Sequence, residues 1–215
     1  MTDRQTPLTA GARLDEAKAA VIALHGRGGS AADILGLVEA THRAELAWLA
    51  PQAAGGSWYP QRFTAPLAAN EPWLSAALNQ LDSAVRSIEA AGITRDRIAL
   101  VGFSQGACLA VEYAARNARR YGALGVLSGG LIGPAGSTFQ YPGDLAGTPV
   151  LLGCNNADPH IPLQRIHETA DAFEGLGARV DKRIYPGMGH TINDDELVWF
   201  SQTLQELSAS SPSNA

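Results

Sequence analysis

Short apolar runs alternate with stretches of helical periodicity along most of the chain, and that alternation is its first legible feature. Ala19–Leu24 is a continuous apolar run with charge before it and glycine after it, the signature of a strand buried on both faces. Leu46–Ala50, Ile98–Val101, Leu124–Ser128, Val150–Cys154 and Val180–Tyr185 also read as strands. Between them, Leu74, Leu78, Leu81, Val85 and Ile88 step by four and three, which predicts an amphipathic helix. A helix is predicted from about Ala31, capped by Ser30 and with Ile34, Leu37 and Val38 on one face. Further helices are predicted after Gly106, at Leu163, Ile166, Ala170 and Phe173, and at Leu197, Phe200, Leu204 and Leu207.

Strands alternating with helices predict an α/β fold with a mainly parallel sheet flanked by helices on both faces. Residues 19–207 read as one domain with no internal repeat. Residues 1–18 are poorly patterned, with an edge strand or a loose start both open, and the Ser-rich 208–215 reads as a disordered tail. The segment 51–72 carries Gly55, Gly56, Pro60, Pro66 and Pro72 and reads as a long loop, as does the Gly/Pro-rich stretch 129–149. Long structureless loops inside a domain are usually functional.

Composition narrows the classes. The 215 residues are 46% hydrophobic and 17% charged, with a formal net charge of −5 and no stretch dense in Lys or Arg. Nucleic acid and anionic membrane surfaces are therefore poor partners, and no apolar run approaches the ~18 residues of a spanning helix. The N-terminal residues lack the apolar core of a signal peptide. Cys108 and Cys154 have neither a disulfide framework nor a metal-ligand spacing, so two buried free thiols in the reducing cytoplasm are expected. The expected partner is a small molecule, and the chain a monomer or homodimer.

The chemistry gathers beyond the carboxyl ends of the strands, where open α/β sheets place their sites. Gly102-Phe103-Ser104-Gln105-Gly106 is a G-x-S-x-G pattern between a strand and a helix, the setting of a nucleophile elbow. A serine hydroxyl needs a base, and the base needs a carboxylate to fix its tautomer. Asp158 and His190 each lie just past a later strand and complete the order Ser, Asp, His. His160 competes as base, but it stands two residues from Asp158, which suits a neighbour in one loop. His42 and His167 lie in or beside helices, Asp144 in a loop and Asp181 within a strand, so none is well placed.

The loop His25-Gly-Arg-Gly-Gly-Ser30 has two readings. As Gly26-x-Gly28-x-x-Ala31 after a strand it matches a dinucleotide fingerprint, although Glu45 opens the second strand where that motif wants an acid at its close. As a His-Gly oxyanion loop it would supply the Arg27 amide beside that of Gln105, and the elbow favours this. Trp58, Tyr59, Ile161 and Met188 lie in loops near the expected site and are candidates for lining an acyl pocket. The Arg27 side chain could meet an acidic leaving group or point into solvent.

Leu24-His-Gly-Arg-Gly28, Trp58-Tyr59, Gly102-Phe-Ser-Gln-Gly106, Leu127-Ser-Gly129, Asp158-Pro-His-Ile-Pro162 and Gly189-His190 together resemble the phospholipase/carboxylesterase family over about residues 20–205. The resemblance implies an α/β-hydrolase fold and a serine carboxylesterase acting through an acyl-serine intermediate. It implies Ser104, Asp158 and His190 as catalytic residues, Arg27 and Gln105 as oxyanion donors, and no metal or organic cofactor. Short-chain or small aromatic or lipid-like esters are the expected substrates. Arg27-Gly28-Gly29 looks closer to bacterial esterases than to acyl-protein thioesterases. Thioesterase or lysophospholipase activity on the same triad is the alternative, and a dinucleotide-binding oxidoreductase or a non-catalytic binding protein is the remote one.

Overall fold

In the computed structural model, which describes residues 6–209, strand β4 (Ile98–Phe103) forms the centre of the sheet. The other strands are β1 (Leu8–Gly11), β2 (Ala20–Leu24), β3 (Ala47–Ala50), β5 (Ala123–Leu127), β6 (Pro149–Cys154) and β7 (Arg179–Ile184). Their order is β1-β3-β2-β4-β5-β6-β7, parallel throughout except that β1 runs antiparallel to β3 at the edge. The helices are α1 (Ala31–Ile34), α2 (Leu37–Thr41), α3 (Trp73–Ala90), α4 (Gln105–Arg116), α5 (Leu163–Gly175) and α6 (Asp194–Ala209). This is the expected α/β-hydrolase architecture.

The central strands are apolar throughout because each feeds two cores. Side chains alternate across a strand, so Ala20, Ile22 and Leu24 of β2 join the core under α3, α4 and α5. Val21 and Ala23 enter the opposite core under α1, α2 and α6. β4 divides likewise, Leu100 going to the first side and Val101 to the second. The five-residue stripe of α3 is buried as its spacing predicts, and each such side chain contributes about 1.5–3 kcal/mol by leaving water.

Three expectations are refined. The single helix expected from Ala31 is two short ones. Ser30 does cap the first: its Oγ accepts from the Asp33 amide at 3.2 Å, and an Asp33 carboxylate oxygen accepts the Ser30 amide at 2.9 Å. The Gly36 amide then turns back to the Asp33 carbonyl at 3.1 Å, ending α1, and the chain restarts as α2 with Leu37 and Val38 against the same core as Ile34. Glycine in a helix interior costs about 1 kcal/mol, so the break falls where continuity is weakest. Second, the loop 51–72 contains two 3-10 turns, at Ala54–Gly56 and Leu67–Asn70. Third, Ser208 and Ala209 belong to α6, while 210–215, where the rest of the expected tail falls, and 1–5 lie outside the described residues.

Candidate active site

Ser104 stands alone between β4 and α4, with φ 54° and ψ −118°. A non-glycine residue there carries roughly 1–3 kcal/mol of backbone strain, which the surroundings must impose. They do so from both sides: the Ser104 amide donates to the Leu127 carbonyl at 2.9 Å, and its own carbonyl accepts the Cys108 amide at 3.0 Å. The turn is possible only with glycine beside it. A Cβ on Gly106 would collide with the carbonyls of Leu24 and His25, and one on Gly102 with the backbone of Gly106.

Three chain segments converge on the Ser104 hydroxyl. His190, in the loop after β7, brings Nε2 to 2.9 Å from Ser104 Oγ. Its Nδ1 lies 2.7 Å from Asp158 Oδ2, in the loop after β6. With Nδ1–H donating to the carboxylate, Nε2 is left as the acceptor facing the serine. The Asp158 side chain is 0% exposed, and its charge is balanced by donors. Oδ1 accepts the amides of His160 at 2.8 Å and Ile161 at 3.0 Å, and the Cys154 thiol sits 4.0 Å from Oδ2. Burial, then the nearby carboxylate, pushes that thiol up to about 12, so it stays a neutral neighbour. The imidazole of His190 is flanked by two rings, Phe103 with centroids 5.0 Å apart and His160 at 4.8 Å, edge to face.

The loop after β2 packs on the elbow from the other side: a Cβ at Gly26 would stand 3.4 Å from that of Ser104. His25 is buried and holds this loop. Its Nδ1 donates to the Gly26 carbonyl at 2.8 Å, and its Nε2 accepts the Ala53 amide at 3.2 Å. His25 is therefore a neutral structural residue. Among the described residues, the Arg27 and Gln105 amides have no hydrogen-bond acceptor, and Gln105 opens α4, where the first amides have no intrahelical partner. Unpaired backbone N–H groups in the loops flanking a serine are the kind of donor that can receive a developing oxyanion. The dinucleotide reading fails on topology. Glu45 precedes β3, which is parallel to β2, so it lies at the amino ends of the strands, away from the loop after β2, and pairs with Arg43 at 3.7 Å.

The other candidate contact residues are engaged as follows. The Arg27 side chain is exposed, and its guanidinium is engaged by the neighbouring loop. It donates to Ser57 Oγ and the Pro60 carbonyl at 3.0 Å and to the Gln61 carbonyl at 2.7 Å, pinning the 57–61 loop. Trp58 and Tyr59 are both buried. They are 3% and 1% exposed and belong to the core, Trp58 Nε1 donating to the His25 carbonyl at 2.8 Å. Ile161 is likewise buried at 3%. Large apolar side chains that gain contact on all sides under a loop have no reason to remain at its surface. Met188 is half-buried, its sulfur accepting from Asn193 Nδ2 at 2.7 Å. Asp144 accepts the Ala146 amide at 2.6 Å and Asp181 pairs with Arg183 at 2.7 Å, away from this cluster.

Several supporting side-chain contacts had no usable sequence signal. Gln105 accepts the Trp58 amide at 3.0 Å and donates to the Tyr59 carbonyl at 2.8 Å, so the residue after the serine also orders the loop above it. Glu112, buried in α4, accepts the Ile132 amide at 3.0 Å, and Arg165 of α5 donates to the Leu131 carbonyl at 2.6 Å. Between them they fasten the 129–149 loop. Each pairs residues more than 19 positions apart, which no local pattern announces.

A family model described as Phospholipase/Carboxylesterase matches residues 11–208. A solved phospholipase/carboxylesterase from Dyadobacter fermentans is 44% identical and superposes with a TM-score of 0.90, over 93% of this chain and 96% of that one. A probable carboxylesterase of Oryza sativa is 29% identical over 66% of this chain, and acyl-protein thioesterase 1 of Gibberella zeae is 34% identical over 49%. The chain spans 61% and 46% of the length of those two relatives. With the sheet order, the elbow and this match over nearly all its length, the chain belongs to the phospholipase/carboxylesterase family and has the α/β-hydrolase fold.

Proposed function

We propose that this protein hydrolyses carboxylic esters through an acyl intermediate on Ser104. The observation that carries this reading is the unbroken hydrogen-bonded line from Ser104 Oγ through His190 to Asp158, with spacings of 2.9 and 2.7 Å. His190 Nε2 removes the serine proton as Oγ attacks the ester carbonyl. Asp158 holds the ring in the right tautomer and stabilises the imidazolium. The carbonyl oxygen becomes an oxyanion beside the Arg27 and Gln105 amides. Nε2–H then protonates the leaving alkoxide, the C–O bond breaks, and the alcohol departs. A water, deprotonated by the same nitrogen, attacks the acyl-serine, and the carboxylic acid leaves as Ser104 recovers its proton.

Short or small acyl groups are the favoured substrates, in keeping with Trp58, Tyr59 and Ile161 being packed into the core rather than exposed as an apolar acyl-binding surface. The relative named as an acyl-protein thioesterase supports a second reading, in which the same residues cleave an acyl thioester. The thioester differs in leaving group, so the acyl-serine step is common to both.

A fluorophosphonate probe tests the central claim. Wild type is expected to be labelled at Ser104, with the adduct mapped by peptide mass spectrometry, and Ser104→Ala is expected to remain unlabelled. An unlabelled wild type would overturn the reading. Turnover of matched acetate and butyrate oxyesters and thioesters then separates the two leaving groups.

A further inference from the structure

We propose that His160 forms a leaving-group subsite, selecting esters whose alcohol or phenol part carries an anionic oxygen. The proposal rests on the ester-hydrolase reading above and deepens it. His160 is exposed, its ring centre is 4.8 Å from that of His190, and among the described residues neither of its ring nitrogens has a hydrogen-bond partner. Its position is nevertheless fixed: its backbone amide donates at 2.8 Å to Asp158 Oδ1, on the carboxylate that also holds His190. An unengaged imidazole on a pinned backbone, at the open edge of the reacting group, is placed to donate to something that arrives.

Sheet order decides which part of the substrate that is. The elbow follows β4, the Arg27 loop follows β2 on one side of it, and the Asp158–His160 loop follows β6 on the other. A carbonyl oxygen turned toward the Arg27 amide leaves the departing oxygen on the side of His190 Nε2, which must protonate it. The atoms just beyond that oxygen come within reach of His160. His160 is not a second base, because His190 Nε2 already occupies the 2.9 Å position at Ser104 and the His160 ring meets His190 edge to face.

The test compares kcat/KM for phenyl acetate with that for 3- and 4-acetoxybenzoate, which carry a carboxylate on the leaving group. Phenyl hydrogen succinate carries it on the acyl side. Wild type is set against His160→Phe, which keeps a ring against His190 but removes both nitrogens. His160→Gln restores a donor. Each variant's ratio to phenyl acetate cancels the intrinsic reactivity of the esters and any general loss of activity. The better acetoxybenzoate ratio is expected to fall about ten-fold or more in His160→Phe, the effect of one hydrogen bond to a charged group. It should recover in part in His160→Gln, while the succinate ratio stays level. Unchanged acetoxybenzoate ratios, or a fall confined to the succinate ester, overturn the assignment. Failure of the parent reading looks different: wild type then turns over none of the four esters and takes no fluorophosphonate, and the subsite falls with it.

Discussion

The indole N–H of Trp58 donates to the carbonyl of His25 at 2.8 Å, tying the long loop after β3 to the loop that presents the Arg27 amide. The rings of the two residues also lie 4.9 Å apart. Trp58→Phe would leave the His25 carbonyl buried without that donor, a defect worth about 1–3 kcal/mol. The expected result is a lower Tm and a lower kcat on a short-chain ester with little change in KM, because the oxyanion amide loses its alignment and no substrate contact is removed. Steady-state kinetics beside a thermal melt checks this.

Arg27 makes three side-chain hydrogen bonds to the 57–61 loop. Arg27→Ala is expected to loosen that loop and reduce kcat/KM about ten-fold. Arg27→Lys should recover little, since a single ammonium cannot reproduce the planar fork. Hydrogen exchange over residues 57–61 is the direct readout: protection there that survives Arg27→Ala would show that the clamp is not needed.

Asp158→Asn keeps an oxygen for the amides of His160 and Ile161 but turns a donor toward His190 Nδ1. The ring is then driven to the other tautomer, with a proton on Nε2 where Ser104 needs an acceptor. A loss of about 10³–10⁴ in kcat with fold intact is expected. Esterase assays with near-native circular dichroism test it, and retention of more than a tenth of the activity would contradict the role given to Asp158.

Ser104 should be better for chemistry than for stability. At φ 54° a glycine avoids the steric cost borne by any side chain, so Ser104→Gly is expected to melt a few degrees above Ser104→Ala, both being inactive. Equal melting temperatures would mean that the turn holds little strain.

Glu196 sets a pH window for stability. Its side chain is buried over Gly153, one oxygen accepts the Asn193 amide at 2.9 Å, and Oε1 has no hydrogen-bond partner. Burial raises its pKa from 4.5 to about 7, the Asn193 amide opposing and Asp195 reinforcing the shift. The native state thus keeps a proton that the unfolded chain has already released. This raised acid supports stability fully below pH ~4.5, loses that support as pH climbs to about 7, and is then penalised by about 3 kcal/mol. Glu196→Gln is expected to match wild type near pH 5 and to be more stable at pH 8, measured by urea unfolding at both pH values. A difference that does not change with pH would remove Glu196 from this role.

The elbow and the order Ser104, Asp158, His190 were legible because each belongs to a short local pattern next to a buried strand. A tight turn needs Gly102 and Gly106 within two residues of the serine, and a strand-end loop is marked by where the apolar run stops. The α3 stripe was legible for the same reason, since its period belongs to one helix. The residues whose contacts the local pattern left open belong to the loops between. Nothing adjacent to Trp58 or Tyr59 says that their rings fold inward, and nothing adjacent to Arg27 names carbonyls about 30 residues away as its partners.

Residue order alone carries the strand and helix alternation, hence a sheet with two buried faces, and puts three chemically matched side chains at strand ends. Local sterics and hydrophobic period suffice for that. Tertiary packing alone ties the loop between β3 and α3 to His25 and Gln105, and rests His160 against His190 with its ring nitrogens unpartnered among the described residues. Loop side chains choose their partners by the space and unpaired carbonyls that distant segments leave open, and those exist only once the sheet has assembled.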